Sequence, residues 1–341
     1  MKKIPDLDVS IKSVAQPVLS TGSRTNIGSP LFIVLNAGSG SKNARSVESN
    51  LAKLFHDANQ PYELLLCRNP RDLPAMTEQA IDQARHRNGV VVAAGGDGTI
   101  RFVAQEVLAA DLPFGVLPLG TFNYFARDND LPQDAVAAAE ALVAGIRAGC
   151  ERPVQVGLLN DQVFLVNASI GLYPQLLEDR EAWKQQLGRS RAVAFLSGLM
   201  TLVRYRRQLR LEVDLAGRTT TLRTPTLFVG NNHLQLERVG IDAQDAGAVK
   251  QGGLAAIVLR PIGSLALLGL LLRGVIGRLG DAENVDSFSF RRLTVRPRGK
   301  RRIKVATDGE IVWMNSPLVF EVSPKPLLLL VPAPQHRVPV E

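Results

Sequence analysis

Cysteine is scarce in this chain: Cys67 and Cys150 stand far apart with no paired spacing. That excludes a disulfide framework and makes a reducing compartment, the cytoplasm, the expected location. The four histidines, His56, His86, His233 and His336, do not cluster, so no metal-ligand set is expected. Aromatic residues are 5% of the chain and are not interleaved with the basic ones. Single-stranded nucleic acid wants stacking platforms, so no nucleic-acid partner is expected. Long apolar runs are missing too. The longest, Pro261–Leu272, has twelve residues and ends at Arg273, whereas a bilayer span needs ~20. The opening MKKIPDLDVS carries lysines but no apolar stretch behind them, so it does not read as a secretory signal.

What is present is a globular composition, with 45% apolar and 21% charged residues over a length of 341, enough for two domains. The net charge of +8 is unevenly placed. Eight Lys or Arg and no acid lie between Arg291 and Lys304, and Arg204, Arg206, Arg207 and Arg210 form a second cluster. Such clusters suit anionic headgroups or nucleotide phosphates, and equally a solvated face.

Residues 1–30 lack periodicity and read as a loose tail. From Leu31 strands and helices alternate: strands at 31–36, 62–67, 90–94 and 114–120, helices at 46–56, 72–87, 100–108 and 133–146. That alternation predicts an α/β domain over 31–150, with a parallel sheet covered on both faces. After Cys150 the texture changes. Asn160-Asp161, Ala216-Gly217 and Asp308-Gly309 each separate two apolar runs as hairpin turns do, and a helix is expected at Trp183–Tyr205. A mainly antiparallel β domain is predicted over 151–332, its last strands free to return to the first domain, followed by a tail at 333–341.

Three glycine turns stand at strand ends. VVAAGGDGTI (91–100) runs from strand through Gly95, Gly96, Asp97, Gly98 and Thr99 into a helix, an arrangement that gathers backbone N–H groups and a positive helix end for a phosphate. An ordinary strand-to-helix turn would read the same way. NAGSGSKNA (36–44) follows the first strand, and LPLGTFNYFARD (117–128) the fourth, with Gly120 and Thr121 at the turn and Asn123 and Arg127 as donors. In a doubly wound sheet the carboxyl ends of neighbouring strands face one crevice, so the three turns together predict a nucleotide site.

With these motifs, the sequence resembles the catalytic domain of diacylglycerol kinases, sphingosine kinases and bacterial soluble lipid kinases. The resemblance runs over about residues 31–332 and includes NASIG (167–171), GNN (230–232) and DGE (308–310) in order. GGDGT is shared with NAD kinases at superfamily level; PLGTFNYFAR is the specific element. The resemblance implies an NAD kinase-like first domain and a β-sandwich, with the active site between them. It further implies ATP-dependent phosphorylation of a lipid hydroxyl, with Mg²⁺ on the nucleotide and peripheral association with the inner membrane face. On this sequence the implied nucleotide contacts are Asn36, Ser39, Gly40, Gly95–Thr99, Gly120, Thr121 and Asn123. The implied base is Asp308 first and Glu310 second. Asp-Gly is also a plain hairpin-turn signal. Four positions depart from the pattern: Ala37 stands for the usual proline, Tyr124 for an acid, and Ala248 and Gln251 where a structural-ion site would have acids. No structural Mg²⁺ is therefore expected. An inactive nucleotide- or lipid-binding homologue, and an NAD kinase-like enzyme on a soluble substrate, are the alternatives. The acceptor lipid and the oligomeric state, a dimer included, stay open.

Overall fold

Strand β1 (Leu31–Asn36) is apolar at every position but the last, as a strand covered on both faces should be. In the computed structural model it lies between β2 (Tyr62–Cys67) and β3 (Val90–Gly95), both parallel to it, and β4 (Phe114–Pro118) continues the parallel order beside β3. The structure describes residues 24–26, 28–36, 44–178, 208–238, 243–260, 285–334 and 337–338. Outside them lie Ser39, Gly40, the expected helix at Trp183–Tyr205, the apolar run, and Arg204, Arg206 and Arg207.

Side-chain alternation divides the strands of the first sheet between two helical layers. Leu31, Ile33 and Leu35 of β1 and Val90, Val92 and Ala94 of β3 share a core with helices α1 (Ala44–Asp57) and α5 (Ala135–Arg147). Helices α2 (Leu73–Arg87) and α3 (Asp97–Ala110) pack against the same two strands, whose alternate residues Phe32, Val34, Val91 and Ala93 are also fully buried. Burying each large aliphatic side chain stabilises the fold by ~1.5–3 kcal/mol before chain entropy is counted. Helix α5 is opened by Asp134, whose carboxylate accepts the N–H groups of Val136 and Ala137, so Pro132 lies outside it. A short helix that the sequence reading left out, α4 (Tyr124–Asp128), follows the β4 turn.

Beyond β5 (Glu151–Val154) the chain enters a second unit, Gly157–Ser323. It begins with β6 (Gly157–Leu159), β7 (Gln162–Phe164) and β8 (Asn167–Gly171), then β9 (Leu209–Leu215), β10 (Arg218–Thr224) and β11 (Thr226–Gly230). It continues with β12 (Leu254–Leu259), β13 (Val285–Phe290), β14 (Arg292–Pro297), β15 (Arg302–Thr307), β16 (Glu310–Asn315) and β17 (Leu318–Val322). These strands form two six-stranded sheets, in the orders β10-β9-β14-β17-β6-β7 and β13-β12-β11-β8-β15-β16. Every pairing in them is antiparallel. One core joins the two sheets, with Leu211, Val213, Val295 and Phe320 from the first meeting Ile170, Val229, Ala256 and Val305 from the second. The unit is a β-sandwich. The three turns expected at Asn160, Ala216 and Asp308 are hairpins, with φ of 53°, 53° and 48°.

The last strand, β18 (Leu327–Leu330), belongs to the first sheet, parallel to β4 and antiparallel to β5. The sandwich separates the basic residues of 291–304. Those on β14 lie in one sheet and those on β15 in the other, so the run forms no single patch.

Candidate functional site

Strand β3 stops at Gly95, and α3 begins at Asp97, inside the glycine motif and three residues earlier than the apolar spacing suggests. Gly96 is the N-cap, with φ −83° and ψ 177°, and its carbonyl accepts the N–H of Ile100 at 3.0 Å. An acid in the first turn suits the positive helix end. None of Gly95, Gly96 and Gly98 has positive φ. What these glycines supply is space. A Cβ on Gly95 would lie 2.7 Å from the Thr99 Cβ. Thr99 is in turn tied to the first strand, for Asn36 Nδ2 donates to its Oγ1 at 2.8 Å. Cys67 is the register partner of Asn36 on β2, and burial first, then Asp72, pushes its thiol up to about 11. No thiolate nucleophile sits there.

The turn after β4 is built against that loop. Leu119 N–H donates to the Gly95 carbonyl at 2.8 Å. A Cβ on Gly120 would meet the Gly96 Cα at 2.8 Å and Asn123 Oδ1 at 2.7 Å, so only glycine fits. Asn123 takes the left-handed conformation, φ 48°, and clamps the turn: its Oδ1 accepts Gly120 N–H at 3.0 Å and its Nδ2 donates to the Gly120 carbonyl at 3.1 Å. Arg127 Nε likewise donates inward, to the Phe122 carbonyl at 2.9 Å. The Asn123 amide, expected to face a ligand, is spent on holding the loop, and so is the Arg127 Nε–H. Thr121 is exposed, and its hydroxyl has no partner among the described residues.

Asp97 joins the two loops. Its carboxyl is raised above the ordinary carboxylate value, chiefly by burial, against the opposing pull of the backbone N–H groups of Phe125, Asn123 and Tyr124 at the start of α4. Its Oδ1 is buried without a hydrogen bond. Beside it the rings of Phe122 and Tyr124 stack, 5.8 Å apart and 5° from parallel. The sequence carried no signal for this contact, because a stack depends on the turn geometry.

In the second unit Asp308 and Gly309 make the β15–β16 turn, with φ 48° and 87°. The Asp308 carboxylate accepts Leu165 N–H at 2.7 Å, Val166 N–H at 2.9 Å and Asn167 N–H at 2.8 Å. Asp308 N–H donates back to the Asn167 carbonyl at 2.9 Å. Three of the roughly four acceptor positions of this carboxylate are thereby occupied by backbone. Glu310, the first residue of β16, is exposed. NASIG and GNN meet at the same end of the sheet: Gly230 pairs with Asn167, and Asn231 Nδ2 donates to the Leu165 carbonyl at 3.0 Å. Ala248 lies in the helix Ala243–Lys250 with Gln251 just beyond it, and among the described residues no group of three or more His, Cys, Asp or Glu converges.

Residues 30–157 match the family profile of the diacylglycerol kinase catalytic domain. Over those residues the chain is similar to that family. A diacylglycerol kinase of Bacillus subtilis is 35% identical over 30% of this chain and 34% of its own length. An uncharacterized protein of Synechocystis is 25% identical over 84% of this chain and 64% of its own. The chain thus spans less than two thirds of these relatives. A crystal structure of a diacylglycerol kinase from Bacillus anthracis superposes with a TM-score of 0.64 over 91% of this chain and 98% of that one, at 17% identity, which shows the fold.

Proposed function

We propose that this protein is an ATP-dependent lipid kinase, transferring phosphate to a hydroxyl of a diacylglycerol-like or sphingoid-like lipid. The observation that carries the reading is the Gly96–Gly120 contact. It leaves the backbone at the ends of β3 and β4 bare of side chains where the N-terminus of a 14-residue helix supplies N–H groups. The donor set fits nucleotide phosphates. Backbone of residues 96–99 and the Thr121 hydroxyl would hold them, together with Asn36 and, on the sequence motif alone, Ser39 and Gly40. ATP with its Mg²⁺ supplies the phosphoryl group and neutralises its charge.

The chain's own residues then have three tasks. Asn36 and Asn123 fix the loops, Asp97 locks one loop to the other, and an acid of the DGE turn takes the proton of the acceptor hydroxyl as its oxygen bonds to the γ-phosphorus and the bond to the leaving ADP breaks. For that proton we favour Glu310 over Asp308, reversing the order read from sequence, because three backbone N–H groups already occupy Asp308. Lipid acceptors place the work at a membrane surface, and we propose peripheral association with the inner leaflet. Among the described residues no helix is long and apolar enough to cross a membrane.

Labelled phosphate transfer from ATP, run over a panel of diacylglycerol, monoacylglycerol, sphingoid base, ceramide and phosphatidylglycerol, tests the reading. Product on one or more of these is expected. Nucleotide binding with no labelled lipid would make the protein a binding homologue, and transfer to NAD alone would make it a soluble-substrate kinase.

A further inference from the structure

Strand β16 is the last in its sheet, with β15 as its one neighbour. Its residues alternate as an edge strand's should: Val312 and Met314 enter the sandwich core, while Ile311 and Trp313 stand on the outer face. Trp313 is 52% exposed, one of three large hydrophobic side chains so exposed among the described residues. The register places Lys304 directly opposite Trp313 and Arg302 opposite Asn315, all on that outer face. Both cations lie over the indole, the Arg302 Cζ 5.7 Å and the Lys304 Nζ 5.3 Å from the ring centroid. Lys304 is neutralised by Glu178, whose two oxygens lie 2.6 and 2.8 Å from its Nζ. Arg302, and Lys300 and Arg301 in the exposed turn before it, have no acidic partner among the described residues.

An indole left in water beside uncompensated cations is a poor arrangement for a free surface and a good one for the headgroup layer. There the ring meets the apolar boundary and the cations meet phosphate. We propose that the outer face of the β15–β16 hairpin docks on an anionic bilayer, with Trp313 seated among the headgroups and Lys300, Arg301 and Arg302 around it. This rests on the lipid-kinase reading and adds the surface used. Glu310 stands on the same strand three residues before Trp313, roughly 10 Å along it. Docking by this edge therefore brings the acidic turn to the level of the headgroups, where an acceptor hydroxyl resides.

The test uses the full chain with Trp183→Phe, so that Trp313 alone fluoresces. Adding vesicles of phosphatidylcholine with phosphatidylglycerol should shift its emission to the blue and make it quenchable by brominated acyl chains. Phosphatidylcholine alone should do neither. In sedimentation, Trp313→Ala in the otherwise unaltered chain should weaken partition to anionic vesicles on the order of tenfold, and the pair Arg301→Gln with Arg302→Gln by a similar factor or more. An unshifted emission in protein that sediments with vesicles overturns the assignment, as does undiminished partition of both variants. A shift with single-stranded DNA and none with vesicles also overturns it and gives the face to nucleic acid. Phosphate transfer to lipid in neutral detergent micelles is measured alongside. No docking by the chain that keeps Trp313, Arg301 and Arg302, with its transfer intact, refutes the surface alone; docking without transfer to any lipid refutes the kinase reading alone.

Discussion

Gly96 and Gly120 touch each other, yet they are not equivalent. A Cβ at Gly96 would meet the Gly120 Cα at 3.5 Å, ordinary contact, whereas the reverse substitution collides at 2.8 Å. Gly96→Ala should therefore melt close to the parent while binding ATP at least tenfold more weakly, and Gly120→Ala should lose stability as well; calorimetry and nucleotide titration separate the two. Asp97 makes a prediction in pH. Its raised pKa means its contribution is fully present below the ordinary carboxylate value, about 4, and is lost as pH rises through the higher folded value. Asp97→Asn should flatten the fall in stability across that window, and melting curves taken through it would show whether it does. The two acids of the turn differ as well. Asp308→Asn offers one acceptor oxygen to three N–H groups and should cost ~1–3 kcal/mol of stability. Glu310→Gln should leave melting unchanged and lower turnover by roughly 10²-fold. If Asp308→Asn folds as stably as the parent and it alone loses turnover, the base is Asp308 after all.

At the scale of elements, the strands of the first sheet were plain in the sequence because they are buried on both faces, which makes them short continuous apolar runs. The hairpins were equally plain, since Asn160, Ala216-Gly217 and Asp308-Gly309 occupy left-handed backbone. Less legible was anything set by contact between loops. The helix after GGDGT was placed late because its first turn is polar, Asp97 to Thr99, and carries no apolar period. Helix α4 is five residues long, too short for a period to show. The glycines of the GGDGT loop supply space and not positive φ, a distinction that only the neighbouring Thr99 and Gly120 reveal. The charge run misled in another way. Sequence adjacency suggested one patch, but β14 and β15 belong to different sheets of the sandwich.

For the molecule as a whole, that division limits how charge acts at a distance. On β14, Arg292 pairs with Glu321 at 2.8 Å, and in the turn beyond it Arg298 pairs with Glu212 at 3.8 Å. Lys300, Arg301 and Arg302, with Arg291 and Arg296, have no acidic partner among the described residues and would carry attraction to an anionic surface. Vesicle binding should accordingly weaken from low to physiological ionic strength, where exposed charges are screened over ~8 Å. It should do so with a shallower slope than eight free cations would give, and a salt titration of sedimentation measures it.

The pairing of β18 with β5 has a consequence for how the chain is made. Val154 and Leu327 face each other across two antiparallel strands, so the residues of the sandwich are inserted in sequence between two paired strands. On the ribosome, the sheet that begins at Leu31 waits until the sandwich and Leu327–Leu330 have been made before its β4–β18–β5 edge can close. The same topology makes that sheet separable: replacing 157–323 with a short turn should give a protein that folds alone and still binds nucleotide.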